Sequence, residues 1–420
     1  MARTLTPKDA YLIMNLLVKE VTGQQSITAT DVSSFVSAGE LVLASGTENV
    51  LNSLSLVLNR TIVASRPYRA RLDLMEQVDT GLYSSRIRKI SYYAQDALPS
   101  GDFNTDLFTN LNTGYTSGDN SGASTKSQWE QNPKFPLEMN FGGSSTWQYC
   151  ITRYEDQLQA AFRSPEEFAA FVGGYLTEAG NDIESQREAW NRMNLLNKIG
   201  QTYDMSTDMP GSVVDLVAAF NAKFSTSYTG TQLRTTYLKD FLEFFVSRVK
   251  QDSRMLEHRT VDYHWSPAKN DGAGNALALL RHTPRDRQQL YLYAPFFIDA
   301  EAMVMPEIFN DQYLKIENYQ GVDYWQTPAG GASVQVTPAI IETDSTDPAY
   351  GTQIAGSAVS LDYVLGVLTD KDGLMTNFQA EIARSTPVEA RKGYRNVWTT
   401  FLRNNMCDPT ENVILYYMAS

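Results

Sequence analysis

Between residues 84 and 200 the chain presents four signals in a fixed order, and few folds accommodate that order. A β-like run over 84–94 leads into a polar stretch rich in Gly, Ser, Asn and Thr. A second β-like run, 134–141, comes back, and a very long amphipathic helix signal follows. In the first run Arg86-Ile87-Arg88-Lys89-Ile90-Ser91-Tyr92-Tyr93 is rich in β-formers. In the second, Phe135, Leu137, Met139 and Phe141 alternate with polar or turn residues. So long a stretch without periodicity, 99–133, is in a compact domain either functional or unstructured. An extended hairpin feeding one long helix suits a protein that reaches over its neighbours better than one that encloses a substrate.

The helix signal opens on Ser164-Pro165-Glu166-Glu167, a capping box with Pro at the first helical position. Phe168, Phe171, Val172, Tyr175 and Leu176 form one apolar stripe, which Ile183, Trp190, Met193 and Leu196 extend to a stop at Gly200. Unbroken, it is roughly 50 Å long at 1.5 Å per residue. Gly173-Gly174 and Gly180-Asn181 are places where it can bend.

Upstream, Thr6-Pro7-Lys8-Asp9 starts a helix, Asp31 caps a second and Thr47 a third; residues 1–65 read as an arm. Downstream, Ser212 and Asp215 make a capping box, and a helix follows over about 231–257. The pattern then turns to strands at 289–298, 333–342, 359–369, 394–402 and 412–418. Helices first, then strands with short helices, give an α+β fold. The last run, Val413-Ile414-Leu415-Tyr416-Tyr417-Met418, is expected inside a sheet beside 394–402, with Ile414, Leu415 and Tyr417 covering the long helix.

The 420 residues leave room for more than one lobe, and a formal net charge of −13 argues against a DNA-gripping surface, which needs Lys and Arg. Two cysteines, Cys150 and Cys407, read as reduced thiols. The capped helix at the start and the lack of a long apolar run predict a soluble cytoplasmic product with no membrane partner.

Catalytic chemistry finds little to build on. His258, His264 and His282 fit no zinc pattern. Asp370-Lys371-Asp372-Gly373 lacks the spacing of a calcium loop and reads as the turn after a strand. Gly272-Ala273-Gly274-Asn275-Ala276 follows no strand and lacks a third glycine. Ser247-Arg248-Val249-Lys250 lacks the partner motifs of penicillin-binding enzymes. Glu166/Glu167 and Asp344/Asp347 read as a helix start and a loop, not as a glycosidase pair. No catalytic, cofactor-binding or metal-binding residues are expected, and the chain reads as a non-enzyme. The basic residues Arg60, Arg66, Arg69, Arg71, Arg86, Arg88 and Lys89 form either a solvated strand face or, the reading favoured here, ion-pair partners for acidic surfaces on other copies.

In this order the parts resemble the major capsid protein of tailed bacteriophages, the Hong Kong phage fold. The segments carrying a closer resemblance to the short-tailed phage type are Trp147-Gln148-Tyr149-Cys150 running into 155–162, and Phe296-Phe297-Ile298-Asp299-Ala300-Glu301. Leu368-Thr369-Asp370-Lys371-Asp372-Gly373 and the final Tyr394-Arg395-Asn396-Val397-Trp398 to Tyr417 complete the set. The resemblance implies an N-terminal arm (1–65), an extended hairpin or E-loop (66–150), a peripheral domain with a spine helix (151–204 and 385–420) and an axial domain (205–384). It implies self-assembly as hexamers and pentamers into an icosahedral shell around double-stranded DNA, held only non-specifically. Scaffolding, portal and decoration proteins are then separate chains, and assembly takes place in the host cytoplasm. The rival readings are a hydrolytic enzyme whose scattered acids converge, and another virion or surface interaction protein.

Overall fold

The computed structural model describes residues 7–23, 27–44, 72, 75–79, 86–94, 134–142, 145–154, 165–270, 276–303, 318–389, 391 and 393–419. The polar stretch 99–133, the helix signal at Thr47, the basic residues Arg60, Arg66, Arg69 and Arg71, and the glycine run Gly272-Ala273-Gly274 lie outside these residues.

A five-stranded sheet forms the larger core. Its strands stand in the order Val213–Asp215, Val413–Met418, Tyr363–Asp370, Gln288–Tyr293, Asn318–Val322. The two outer pairings are parallel and the two inner ones antiparallel. The strand Val413–Met418 is apolar at every position because the sheet is covered on both faces. Ile414, Tyr416 and Met418 face the helices Leu216–Phe224 and Leu238–Met255, in a cluster with Phe220, Phe241, Phe245 and Phe296. Val413 and Leu415 face the other way, onto Leu195 and Ile199 of the long helix and onto Trp325. The expected pairing of this strand with 394–402 is therefore corrected. Of the three side chains expected to cover the long helix, Ile414 points to the opposite face, as strand alternation requires. Gly366 sits at a register irregularity in the middle of this sheet, where a Cβ would lie 2.7 Å from Tyr291 O and 2.6 Å from Leu292 Cδ2.

A second sheet has the order Glu76–Asp79, Leu374–Ser385, Tyr394–Cys407, Ser145–Tyr154. The strands from Leu374 onward are antiparallel, and Tyr394–Cys407 pairs with Ser145–Tyr154 over ten residues from Tyr394↔Tyr154 to Arg403↔Ser145.

The long helix, Pro165–Asp204, has 40 residues and ties the two sheets together. Asn194 Nδ2 donates to Met406 O at 3.1 Å, Asn191 Nδ2 to Leu72 O at 2.8 Å, and Trp190 packs edge-on against Trp147 at 5.1 Å. The helix passes through Gly200 instead of stopping there. A Cβ at Gly200 would lie 2.7 Å from Val336 Cγ1, so this glycine serves close helix–strand approach and not a C-cap.

Other expectations were met with shifted boundaries. Asp31 accepts from Ser34 N at 2.7 Å and starts the helix Val32–Ala44, which packs Phe35 edge-on against Tyr11 of the helix Pro7–Thr22. Asp215, not Ser212, caps the helix Leu216–Phe224, because Val213–Asp215 is drawn into the sheet. The helix expected over 231–257 is two, Gly230–Thr235 and Leu238–Met255. The strand expected over 289–298 ends at Tyr293, where the helix Ala294–Met303 begins.

The two β-like runs of the sequence pair as a two-stranded ribbon, Arg86–Tyr92 with Pro136–Gly142, in antiparallel register from Arg86↔Gly142 to Tyr92↔Pro136. This is the hairpin that the sequence predicts.

Candidate functional site

The last turn before the final strand, Asp408-Pro409-Thr410-Glu411-Asn412, is polar but fully buried. A buried polar turn is tolerated only when its groups are partnered, and here the partners come from every layer of the molecule. Asp408 N donates to Gly373 O at 3.0 Å, and Asp370 N to Asn412 O at 3.0 Å. The segment Asp370-Lys371-Asp372-Gly373 is thus the turn after a strand, as its sequence suggests; Asp370 caps it by accepting from Asp372 N. Asn412 Nδ2 donates to Thr283 Oγ1 at 3.1 Å, and Thr283 Oγ1 donates to Asp370 Oδ2 at 2.7 Å.

Charge enters from two directions. Lys89 of the hairpin donates to Asp408 Oδ2 and to Glu411 Oε1. Arg281 bridges: its Nη2 lies 3.3 Å from Glu411 Oε1 and donates to Ser91 Oγ at 2.6 Å, while its Nε donates to Thr410 O at 3.1 Å. From the long helix, Lys198 Nζ donates to Asp408 O at 2.6 Å. Burial alone would raise the Asp408 carboxyl, but Lys89 and the Thr410 N–H and hydroxyl outweigh it and hold the group below its ordinary value. For Glu411 burial wins over Lys89 and Arg281, and its pKa is raised. Burial also works against the Lys89 ammonium, yet the two carboxylates overcome it and its pKa rises. Lys198, whose Nζ meets the backbone carbonyl of Asp408, is pushed down by burial. Such a cluster can orient and fasten; among the described residues it leaves no open coordination site for a metal ion.

Lys89 therefore corrects one expectation. Its anionic partners belong to its own chain, and Arg88 pairs with Glu138 across the ribbon at 2.8 Å. Asp408, Glu411 and Lys198 were not singled out by the sequence reading. The signal that could have found them is the polar run Asp408-Pro409-Thr410-Glu411-Asn412 wedged between two β-rich segments.

The remaining candidates are scattered. His258 and His282 are exposed. His264 is buried, with Nδ1 at 2.9 Å from Asn412 Oδ1 and Nε2 at 2.6 Å from Leu279 O. Burial lowers its pKa more than these two acceptors raise it. The unfolded chain thus takes up this proton near 6.5 while the fold resists it, so His264 costs stability as pH falls below 6.5. Denaturant unfolding at pH 8, 6 and 5 is expected to show declining stability, and a flatter profile in His264→Gln; identical profiles would refute a neutral buried ring. Cys150 is exposed, while the thiol of Cys407, raised by burial, donates to Gln201 Oε1 at 3.2 Å. Ser247 and Lys250 lie on the helix Leu238–Met255, and Ser247 Oγ accepts from Gln251 Nε2 at 3.4 Å. Asp344 and Asp347 cap loop amides, accepting from Thr346 N and Ala349 N. The side chains of Glu166 and Glu167 lie outside the description. An open groove of about 420 Å³ is lined by Phe220, Phe224, Tyr228, Tyr237, Asp240 and Glu243; its floor is aromatic and both carboxylates are exposed.

With ribbon, long helix and two sheets in place, the chain can be compared with known proteins. No family model and no curated protein sequence matches it. Solved structures do. The chain superposes on one from the capsid structure of Staphylococcus phage Andhra with a TM-score of 0.50 at 10% identity, over 84% of this chain and 85% of that one. The chain has the major capsid fold of tailed phages. Weaker likenesses are to a chain from the structure of the head fiber and inner core protein gp22 of native bacteriophage P68 (TM-score 0.46, 10% identity, 82% and 83% covered) and to one from the bacteriophage PhiM1 mature capsid (0.41, 9%, 84% and 88%). The buried cluster lies where the ribbon Arg86–Tyr92/Pro136–Gly142 meets the body.

Proposed function

We propose that this chain is a major capsid protein, which self-assembles into the icosahedral shell of a tailed phage and encloses its double-stranded DNA. The observation that carries this reading is the likeness of fold to the Andhra capsid over most of both chains. The two-stranded ribbon followed by a 40-residue helix supports it, since that is the order of parts the capsid resemblance implies. The net charge of −13 agrees with DNA enclosed but not gripped. The role needs no catalytic centre.

The division into arm (1–65), E-loop (66–150), peripheral domain (151–204 and 385–420) and axial domain (205–384) is part of the proposal. In this division the pairing of Val413–Met418 with Tyr363–Asp370 joins the peripheral segment 385–420 to the axial segment 205–384. Copies of the chain are proposed to form hexamers and pentamers, since one surface must pair in slightly different geometries to close a shell. Scaffolding, portal and decoration proteins are proposed as separate chains, and the host cytoplasm as the place of assembly.

Sedimentation and negative-stain electron microscopy of the purified chain test the reading. Very large or polydisperse particles with curved walls are the expected result. A strictly monomeric chain that turns over a hydrolase substrate, with activity lost on changing one His or Asp, would sink it.

A further inference from the structure

The E-loop ribbon is held to the body in a different way from the five-stranded sheet. The five-stranded sheet is covered by apolar side chains on both faces. On the ribbon the large apolar groups Ile90 and Tyr92 point outward and are 50% and 59% exposed. Leu137, Met139 and Phe141 on the returning strand are half-buried. The inward positions of the first strand are Ile87, which is half-buried, Lys89 and Ser91, with Tyr93 just beyond its end. Lys89 binds Asp408 and Glu411, Ser91 binds Arg281, and Tyr93 alone brings a buried ring. Two further bonds add to the attachment: Ala94 N donates to Ala278 O at 2.8 Å, and Asn404 Nδ2 to Phe141 O at 3.0 Å.

Hydrophobic burial is non-directional, whereas charge-assisted hydrogen bonds fix an angle. We propose that the cluster Lys89, Asp408, Glu411, Arg281 and Ser91 is a latch that sets the direction of the ribbon on the body, and that it closes only when the C-terminal strand is in place. The second half follows from where the acids sit. Asp408 and Glu411 stand on the turn that joins Tyr394–Cys407 of one sheet to Val413–Met418 of the other, so both strands must be docked before the carboxylates face Lys89. Lys198 from the long helix and Asp370 from the neighbouring turn also face this turn, and through them the latch registers both sheets at once. The inference does not depend on the chain building a shell.

Hydrogen exchange of the purified, unassembled chain tests it. The double variant Lys89→Met/Glu411→Gln removes one cation and one anion, leaving the net charge of the cluster unchanged. Amides of 86–94 and 136–142 are expected to accelerate at least about tenfold more than those of 288–293 and 363–370, since the ribbon can open locally without the global transition. Ser91→Ala removes a ribbon bond without disturbing a charge, and is expected to act in the same direction with smaller size. Unchanged ribbon exchange in Ser91→Ala overturns the proposal if the double variant fails to fold. Equal acceleration of ribbon and sheets overturns it as well, because the ribbon would then be part of the cooperative core.

Discussion

A chain ended at Asn412 is expected to be insoluble or unfolded, and not merely defective in assembly. The truncation removes a strand with a partner on each side, Val213–Asp215 and Tyr363–Asp370. Val413, Ile414, Leu415 and Tyr416 are 0% exposed and Met418 1%. Burial of such side chains contributes about 1.5–3 kcal/mol each. Together they match the whole stability of a domain, about 5–15 kcal/mol. The loss also bares both core clusters and leaves two unpaired strand edges, which invite aggregation. Solubility on expression, the far-ultraviolet circular dichroism spectrum and the melting transition check this. A soluble product with a native spectrum and melting temperature would mean that the strand contributes little to the fold.

Asp408→Asn is expected to cost about 3–5 kcal/mol at neutral pH, the range for breaking a buried ion pair by removing one partner. The amide keeps the shape of the carboxylate, but Lys89 is left with Glu411 alone, and the positive Arg281 already shares that group. The effect depends on pH with a definite sign. The folded pKa of Asp408 lies below the unfolded value of 3.8, so its charge stabilises the fold above pH 3.8 and that contribution is lost as pH falls through the folded value. Glu411 runs the other way: its folded pKa lies above 4.5, so its ionisation costs stability as pH rises from 4.5 through the folded value. The difference between wild type and Asp408→Asn should therefore be full at pH 7 and shrink in acid below pH 3.8. Denaturant melts at pH 7 and pH 3 check this; a difference that is the same at both would show that the charge of the carboxylate does not carry the effect.

The same cluster shows why site and fold were unequally legible in the sequence. Helix starts were readable because capping is local: Asp31 and Asp215 hydrogen-bond amides two or three residues away. The ribbon strands were readable because alternation on a two-stranded ribbon is set by the residues themselves. Misread boundaries trace to tertiary contacts. Gly200 carries the local mark of a helix end, but the helix runs on because Val334–Val336 packs where a side chain would be. Lys89 sits in a basic run that looks like a surface stripe, and nothing within ten residues announces that its carboxylates lie more than 300 positions away.

The sequence by itself determined the order of elements, the α+β class, the hairpin that precedes a long helix, and the apolar character of the last strand. Each of these rests on spacing within a few residues, where backbone geometry alone links pattern to structure. Only the tertiary structure decided which strand Val413–Met418 lies beside, which face each of its side chains meets, and which charges Lys89 joins. An apolar run covered on both faces carries no alternation to say which face is which, and its hydrogen bonds are satisfied equally well by any neighbouring strand. The choice falls to the packing of the long helix against one face and of Phe220, Phe241 and Phe245 against the other, contacts made between segments that the sequence holds far apart.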